Sequence, residues 1–521
     1  MIGKLRTLFS RYPKDPGVQP ASFSGLTTPN NLPAPSGLIA AQSVPDKFYF
    51  LLFGALRKRL PAHRAELVVV RAVSGAVGTG WLAEVKRSPA VAWLATQPWL
   101  RAYGGLFQGA AYRCANAGAP LQSLRDWTRA NRLWQQLQTA PEPVSLVIDG
   151  IEVGDLLVDS YLRFKPSPEF DVRDPFVRRL IWQALKDVRR ANAYFEQRKP
   201  KLYLTSYTTY LEHGIPARSA LRAGVPVWSF GNFSQFGKRI SLTHGFHTAD
   251  FSAYRSTFES LHNQEEKLQR ARQQLELRLS GGIDAATSYM RQSAYGPSSV
   301  ALPTGLDGAV VVFLHDFYDS PHVYPDLVFE DFWRWICFTI DVLTKAGIPF
   351  FLKPHPNQIA LSDEALSRLR QKYPALQWLP VGISNVQLAH AGITCGVTVY
   401  GTVAHELAYL GIPSIGCASH PHHTFDFCRT AHTAAEYATM LKTPASLPVP
   451  KDDMQRQALA FYFMHNLYGE DDARTLQRAF LDFWKACNIG PATEESVLSS
   501  FRALVALPAF DRFVAAMWRT S

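Results

Sequence analysis

The sequence predicts an α/β fold made of two doubly wound domains, one after the other. Short β-branched runs alternate with helical patterns in two separate stretches, and a highly charged segment divides these stretches. Parallel strands need crossover connections, which are mostly helices, so this alternation is typical of a parallel sheet covered by helices. The length of 521 residues agrees, because it is enough for two or three domains of about 150 residues.

The first alternation follows an arm, residues 1–45, that is rich in Pro, Ser, Gly and Asn and is expected to be irregular. We expect the first domain over residues 46–257. Its predicted strands are residues 67–70, 91–94, 146–148, 202–205 and 225–230, and its clearest helices are residues 121–137 and 175–197, where apolar residues recur every three or four positions.

The charged segment has only a narrow apolar stripe, and residues 258–300 are therefore assigned to an exposed linker helix. We expect the second domain over residues 301–450 and amphipathic helices over residues 451–521. The predicted strands of the second domain are residues 309–314, 349–352, 376–379, 392–397 and 414–417, and its predicted helices are residues 329–346, 364–372, 386–391 and 404–410.

The composition excludes several classes of protein. Hydrophobic residues make up 47% and charged residues 19% of the chain, which excludes disordered, collagen-like and coiled-coil chains. The six cysteines include no CxxC pair, so neither a disulfide scaffold nor a zinc finger is indicated. Because no apolar run approaches the roughly 20 residues that span a bilayer, and the basic start lacks the apolar core of a signal peptide, a cytoplasmic protein is expected.

The charge balance favours anionic partners. Lys and Arg total 54 against 43 Asp and Glu, a net charge of +11, which suits phosphate-bearing ligands, acidic lipid headgroups or nucleic acid. No basic and aromatic motif of a recognisable nucleic-acid-binding fold occurs in the sequence, so nucleic acid is not an expected partner. Peripheral contact with acidic lipids of the inner membrane is a further expectation.

The segment FFLKPHPN, residues 350–357, is the most informative stretch. An apolar strand ends at Lys353, and the two prolines stop a helix and hold His355 in an extended turn. Ligands bind at the carboxyl ends of strands in open α/β sheets, so a cation and an imidazole there are suited to a phosphate group. The alternative is a proline-fixed loop with a solvent-exposed histidine.

A second segment, GVTVYGTVAHELAYLGIPS, covers residues 396–414 and agrees with the first. Gly401 allows close approach to the backbone, and Thr402 can cap a helix whose free N–H groups face an anion. Glu406, on the first turns of that helix, could accept hydrogen bonds from ribose hydroxyls, or it could simply compensate the helix charge.

A third segment, VVFLHDFYDSPHVYP, places polar residues directly after a strand. We expect His315, Asp316, Asp319 and His322 to contact a ligand, because polar loop residues at a sheet edge favour a ligand role. Metal binding by these side chains is an alternative, although the spacing matches no strong metal signature. Residues 74–80, SGAVGTG, lack the Lys-Ser/Thr of a P-loop.

FLKPHPN and GTVAHELAYLGIPSI together resemble the C-terminal half of capsule and surface-polysaccharide biosynthesis glycosyltransferases, the group that includes bacterial Kdo transferases and polysialyltransferases. More distantly, they are similar to the CDP-glycerol glycerophosphotransferases of teichoic acid synthesis. The resemblance covers about residues 308–440. It implies the GT-B architecture, two Rossmann-like domains facing a central cleft, with the nucleotide held by the C-terminal domain.

The resemblance also implies roles for individual residues. The His-Pro dipeptide of these families lies at the donor phosphate, and the turn before the Glu-bearing helix contacts the nucleotide. The donor-binding residues that this implies here are Lys353, His355, Pro356, Asn357, Thr398, Gly401, Thr402 and Glu406. With a nucleotide-sugar donor implied, Asp316, Asp319 and His322 are expected to bind the sugar and His315 to take part in catalysis. The acidic motif that supplies a catalytic carboxylate in several CMP-sugar transferases is not evident in this sequence.

Candidates for the catalytic base therefore come from the first domain. Asp159 follows the predicted strand 146–148, and Glu212 and His213 follow the predicted strand 202–205. An acceptor hydroxyl must lose a proton to attack an anomeric carbon, and a carboxylate or a histidine can take that proton. The alternative for each acid is an ordinary solvated carboxylate or a helix cap.

The resulting expectation is a glycosyltransferase that moves a hexosyl or Kdo residue from a nucleotide sugar, with a CMP-sugar favoured, to a bacterial surface glycan or glycolipid. No metal ion or other cofactor is expected, because cationic side chains and a helix N-terminus can neutralise the phosphates. The alternatives are a polyol-phosphate transferase that uses CDP-glycerol and a non-catalytic nucleotide-sugar-binding subunit of a polysaccharide assembly complex.

Overall fold

The computed structural model of the chain describes residues 37–44, 46–60, 64–69, 111–114, 120–140, 142–165, 167–287, 300–355, 360–419, 422–489 and 493–521. These residues form two compact units. Unit 1 contains the described residues of 1–166, 171–249 and 469–521, and unit 2 contains those of 167–170 and 250–468. Within the described ranges, no helix is long and apolar enough to cross a membrane.

Unit 1 is built on a six-stranded sheet in the order β3-β2-β1-β6-β7-β8. All neighbouring strands are parallel except β7 and β8, and β4 and β5 form a separate antiparallel pair. The elements are β1 (Leu38–Gln42), α1 (Lys47–Arg59), β2 (Arg64–Val69), β3 (Ala111–Cys114), α2 (Pro120–Thr139), β4 (Val147–Ile148), β5 (Ile151–Glu152), α3 (Gly154–Phe164), α4 (Pro175–Arg198), β6 (Leu202–Thr205), α5 (Tyr210–Arg222), β7 (Val227–Ser229) and β8 (Lys238–Ile240).

Unit 2 contains a fully parallel six-stranded sheet in the order β11-β10-β9-β12-β13-β14. Its elements are α6 (Tyr254–Ser260), α7 (Gln264–Leu279), β9 (Val310–Phe313), α8 (Phe332–Lys345), β10 (Phe350–Lys353), α9 (Ala360–Lys372), β11 (Gln377–Trp378), α10 (Asn385–His390), β12 (Cys395–Val397), α11 (Val403–Tyr409), β13 (Ser414–Gly416), β14 (Cys428–Thr430), α12 (Ala434–Lys442) and α13 (Lys451–Asn466).

Both strand orders are those of the doubly wound α/β fold, so the predicted fold class is confirmed. The central strand of unit 2, β9, is apolar at every position because both of its faces are buried. Val310 and Val312 of β9 pack into one hydrophobic cluster while Val311 and Phe313 pack into another, so both faces of the sheet are covered. In each sheet the strand order reverses beside the first strand, between β1 and β6 and between β9 and β12, which is where such folds bind ligands.

The chain returns to unit 1 through α14 (Asp471–Asn488), α15 (Glu494–Val505) and α16 (Pro508–Arg519). The predicted C-terminal helices, residues 451–521, are therefore divided between the two units, because α13 belongs to unit 2 and the three later helices belong to unit 1. The contact that holds the tail is aromatic. Phe48 of α1 lies with its ring centroid 5.3 Å from that of Phe480 and 5.0 Å from that of Phe483.

Several other predictions differ from the structure. β1 lies inside the predicted irregular arm. Its short sequence, LIAAQ, is apolar, but the surrounding segment is rich in Pro, Ser and Asn, and this composition led to the prediction of an irregular structure. The predicted strand 146–148 pairs only with β5, and the predicted strand 91–94 lies outside the described residues. The predicted linker helix is broken at Asn263, which has a φ of 54°, and its second half, α7, buries Leu268 and Leu275 within unit 2.

Candidate functional site

A cavity of about 130 Å³ lies in unit 2 at the carboxyl ends of β9, β10 and β12. It therefore occupies the point where the strand order of this sheet reverses. Most of the predicted donor-binding residues line it, together with residues that the sequence did not single out. The lining residues are Leu279, Phe313, Leu314, His315, Lys353, Pro354, His355, Ile383, Ser384, Asn385, Thr398, Gly401, Thr402, Val403 and Glu406. Pro356 and Asn357 lie outside the described residues.

Lys353, the last residue of β10, supplies a cation to this cavity. Only 8% of the residue is exposed, and its Nζ atom lies 6.0 Å from the centre of the Phe313 ring. Burial lowers the pKa of Lys353, and the charge of Glu406 opposes that effect only in part. Glu406 is ion-paired with Arg278 instead, and Lys353 forms no ion pair with any described residue. A buried ammonium group without a counter-ion favours the binding of an anion.

Thr398 and Gly401 lie in the turn after β12, and His315, which follows β9, contacts this turn. The Gly401 N–H donates to Thr398 Oγ1 at 3.0 Å, and Thr398 Oγ1 lies 3.0 Å from His315 Nε2. The Val399 N–H also donates to His315 Nε2, at 3.4 Å, so this nitrogen is an acceptor and the imidazole is neutral. Burial, with the nearby charge of His355, lowers the pKa of His315 to about 3.

His315 and Gly401 both help to fix the position of the Thr398 side chain. The His315 ring stacks on Phe332, with the centroids 4.9 Å apart, and its Nε2 orients the Thr398 hydroxyl. A Cβ atom at Gly401 would lie 2.6 Å from Thr398 Oγ1, which explains why this position is glycine. Thr402 occupies the N-cap of α11 as predicted, but its side chain makes no capping hydrogen bond. The catalytic role of His315 stays a prediction.

Glu406 is held by two side chains that the sequence analysis did not select. Arg278 Nη1 donates to Glu406 Oε1 at 2.9 Å, and Asn385 Nδ2 donates to Glu406 Oε2 at 2.6 Å. Arg278 also pairs with Asp284, with 2.8 Å between Nη2 and Oδ2, and Tyr462 donates to the same carboxylate. Burial lowers the pKa of Arg278, but the charges of Glu406 and Asp284 raise it by a larger amount, so the net shift of this pKa is upward.

His355 lies two residues after the end of β10 and is partly buried. Burial lowers the pKa of His355, the carboxylates of Asp316 and Asp319 raise it in part, and Lys353 lowers it. Asp316 Oδ1 accepts from the Tyr318 N–H at 3.0 Å and from Ser362 Oγ at 2.8 Å, so it also anchors α9. The structure thus brings Asp316 and Asp319 within electrostatic reach of His355.

His322 lies elsewhere in unit 2. It is 7% exposed in a short 3₁₀ turn, Pro321–Val323, and does not line the cavity, and neither do Asp316 and Asp319. Their predicted sugar-binding role stays a prediction. In the part of the chain that the structure describes, no group of three or more His, Cys, Asp or Glu side chains is placed to hold a metal ion.

The three base candidates of the first domain lie in unit 1. Asp159 is 1% exposed inside α3, and its charge acts on Arg218, which is bonded to Asp155 at 2.7 Å. Asp159 is therefore neither a solvated carboxylate nor a helix cap; it is a buried residue in the middle of α3, and its role as a base stays a prediction. Glu212 and His213 lie on the first turn of α5, with Glu212 Oε1 3.2 Å from His213 Nε2.

A sequence signal for Arg278 exists. The buried residues of α7 recur at helical spacing, namely Leu268, Ala271, Leu275 and Arg278, so the arginine continues an apolar stripe. A charged residue at a core position of a helix must be paired, and that alone marks Arg278 for attention. Asn385 carries no comparable signal, since its partner is 21 positions away on another helix.

No protein-family model and no curated protein matches the sequence. Similar solved structures include the KpsC beta Kdo 2,4 transferase of Thermosulfurimonas dismutans, at 11% identity and a TM-score of 0.31, covering 50% of this chain and 78% of that one. They also include the UDP-GlcNAc 2-epimerase of Methanocaldococcus jannaschii, at 10% identity and a TM-score of 0.26, covering 57% of this chain and 85% of that one. The wall teichoic acid polymerase TagF shares 12% identity at a TM-score of 0.21, covering 92% and 93%. At these low TM-scores the likenesses carry no argument, and the fold assignment rests on the strand order of the chain itself.

Proposed function

We propose that the chain is a glycosyltransferase that binds a nucleotide-sugar donor in the cavity of unit 2. The observation that carries the proposal is Lys353, a buried cation without an ion-pair partner among the described residues, at the point where doubly wound sheets bind ligands. His355 lines the same cavity, and its ring N–H can donate a hydrogen bond to a phosphate oxygen. The resemblance of the flanking motifs to polysaccharide biosynthesis glycosyltransferases supports the same assignment.

In the proposed reaction, an acceptor hydroxyl attacks the anomeric carbon of the donor sugar. The carbon–oxygen bond to the phosphate breaks, and its electron pair stays on the phosphate oxygen. Lys353 and His355 stabilise the charge that develops there, which is the kind of interaction that lowers a transition-state barrier. The proton of the hydroxyl passes to a base, for which Asp159, Glu212 and His213 are the candidates. The proposal requires no metal ion.

The finer assignment is also a proposal. A CMP-activated sugar such as Kdo is favoured as donor and a bacterial surface glycan or glycolipid as acceptor, on the strength of the motif resemblance. The net charge of +11 supports peripheral contact with acidic lipids of the inner membrane in the cytoplasm. Nucleic acid is not a proposed partner.

A thermal-shift screen of CMP-, UDP-, GDP- and dTDP-sugars tests donor binding. A ligand present at 100 times its Kd stabilises the folded state by about 2.7 kcal/mol, which raises the melting temperature of a unit of this size by roughly 5–10 °C. Lys353→Met should abolish the shift and leave the melting temperature of the free protein unchanged or higher, because a desolvated charge is removed. Lys345→Met, which changes an exposed lysine of the same unit, is the control. Shifts that persist in Lys353→Met would refute the site.

Turnover separates the proposed function from its alternatives. Release of the nucleoside phosphate or diphosphate with formation of a glycosidic bond supports glycosyl transfer. CMP together with a phosphodiester product from CDP-glycerol would instead identify a polyol-phosphate transferase, and binding without any release would identify a non-catalytic subunit. His355→Ala should reduce turnover more than it reduces folding, and unchanged turnover with the correct donor would show that the site assignment is wrong.

A further inference from the structure

The inner face of α2 packs against α4 within unit 1. The rings of Trp127 and Trp182 lie with their centroids 5.3 Å apart, and the guanidinium of Arg178 lies 4.4 Å from the centre of the Trp127 ring. Trp182 Nε1 also donates to the Ser123 carbonyl oxygen at 3.1 Å. These contacts hold α2 in place from one side.

The opposite face of α2 is exposed and carries two leucines. Leu121 is 73% exposed and Leu124 is 63% exposed, and because they are three positions apart on a helix their side chains are neighbours. A single exposed leucine is ordinary on a protein surface. Two neighbouring ones form a small apolar surface that stays in contact with water in the folded unit.

Three arginines share this face with the leucines. Arg125, Arg129 and Arg132 are all exposed and recur at the spacing of one helix face. Together with Thr128, the leucines and the arginines line one shallow depression of the surface. Arg129 is paired with Asp149 at 2.8 Å, whereas Arg125 and Arg132 form no ion pair with any described residue.

The exposed face of α2 is therefore positively charged. The one acidic residue of this helix, Asp126, is 5% exposed and is ion-paired with Arg189 at 2.5 Å. Like charges three and four positions apart repel each other on a helix, and a nearby anionic surface would relieve that repulsion.

Leucines among arginines fit the surface of an anionic bilayer. Arginine side chains can keep their guanidinium groups at the lipid phosphates while neighbouring apolar side chains enter the boundary of headgroups and acyl chains. The backbone of a nucleic acid offers charge without such an apolar layer, and the rim of an acidic protein surface is likewise polar. The leucines thus favour lipid over the other anionic partners.

We propose that the exposed face of α2 is the surface by which the chain docks on a bilayer of anionic phospholipid. Leu121 and Leu124 enter the headgroup boundary, and the three arginines lie at the phosphates. This inference rests on the proposed peripheral contact with acidic lipids, which it locates in unit 1. It uses neither the donor cavity nor the chemistry of glycosyl transfer.

Flotation of the full chain with phospholipid vesicles tests this surface without any nucleotide sugar. The protein should bind phosphatidylcholine vesicles that contain about 30% phosphatidylglycerol, should not bind pure phosphatidylcholine, and should lose most of the binding in about 1 M salt. Arg125→Gln and Arg132→Gln should each lower the partition coefficient about 5-fold, because each basic residue near an anionic surface contributes about that factor. Leu121→Ser combined with Leu124→Ser should lower it at least about 10-fold.

Leu242→Ser combined with Arg239→Gln is the matched control, since Leu242 is 72% exposed and Arg239 is an exposed arginine of the same unit. Thermal unfolding checks that every variant is folded, as expected for substitutions on a face that does not pack against α4. Absence of binding to the anionic vesicles, or an equal loss in the control, would overturn the docking surface. A loss in the arginine variants with none in the leucine variant would also overturn it and would indicate an acidic protein or a nucleic acid instead.

Donor binding is measured separately, so the two proposals fail in different ways. Vesicle binding that is absent while a nucleotide sugar still raises the melting temperature would overturn only the docking surface. Vesicle binding through α2 without any donor binding would support the docking surface and refute the proposed glycosyl transfer.

Discussion

Removing the guanidinium of Arg278 should strongly destabilise unit 2. Arg278 is 2% exposed and lies between the carboxylates of Glu406 and Asp284, at 2.9 Å and 2.8 Å. Both carboxylates are buried, at 1% and 2% exposure, so Arg278→Met leaves two uncompensated negative charges in the interior. Breaking one buried pair in this way costs about 3–5 kcal/mol, and the cost here should reach at least that range.

Thermal unfolding of the full chain measures this cost. For a unit of this size each kcal/mol shifts the melting temperature by about 2–4 °C, so the transition of unit 2 should fall by roughly 6–20 °C. Arg272→Met is the matched control, because Arg272 is an exposed residue of the same helix that contacts Tyr409, and its loss should change stability by less than about 1 kcal/mol. Adding Glu406→Gln to Arg278→Met should recover part of the loss, since one of the two stranded charges disappears.

Either of two results would refute this reasoning. Equal melting temperatures for Arg278→Met and Arg272→Met would show that the buried network carries little stability. A double variant no more stable than Arg278→Met would show that Glu406 is not the charge left unpaired. The pKa of Asp284 provides a separate check. Burial raises it, but the charge of Arg278 and the hydrogen bonds from Thr287, Tyr462 and Arg278 together outweigh that effect, so the net pKa is lowered. Stability from this group is therefore lost only as the pH falls into the acid range.

Two further predictions concern unit 2. Burial lowers the pKa of four of its histidines, to about 3 for His315 and His422, to about 4 for His465 and well below the usual value for His405. The unfolded chain takes up these protons below a pH of about 6.5, whereas the folded unit does not, so each histidine lowers the free energy of unfolding by about 2 kcal/mol at a pH of about 5. The melting temperature should therefore fall steeply between a pH of about 6.5 and about 5. A constant melting temperature would contradict the burial of neutral imidazoles. In Gly401→Ala the new Cβ would lie 2.6 Å from Thr398 Oγ1, so this variant should lose about 1–3 kcal/mol of stability and bind the donor more weakly. Gly245→Ala is the control, because its Cβ would have its nearest neighbour at 3.7 Å, and it should change neither property. Thermal unfolding measures the stability and isothermal titration measures the binding of both variants.

The sequence by itself determined the fold class and much of the cavity. Alternation of apolar strands and amphipathic helices is a local property, so β9, β10 and β12 were predicted within a few residues of their observed bounds. Residues that directly follow such strands, such as Lys353 and His355, share one edge of a parallel sheet, and their common location could be inferred without coordinates.

The tertiary structure alone decided the pairings that give the polar residues their properties. Arg278 and Glu406 are 128 positions apart, and Gln42 and His213 are 171 positions apart. No local periodicity encodes such contacts, because they depend on which helix packs against which strand end and on the exact reach of each side chain. The sequence indicated that Glu406 contacts a ribose or compensates the helix charge, whereas folding brings it a buried cation, Arg278, whose desolvation cost the carboxylates of Glu406 and Asp284 offset together.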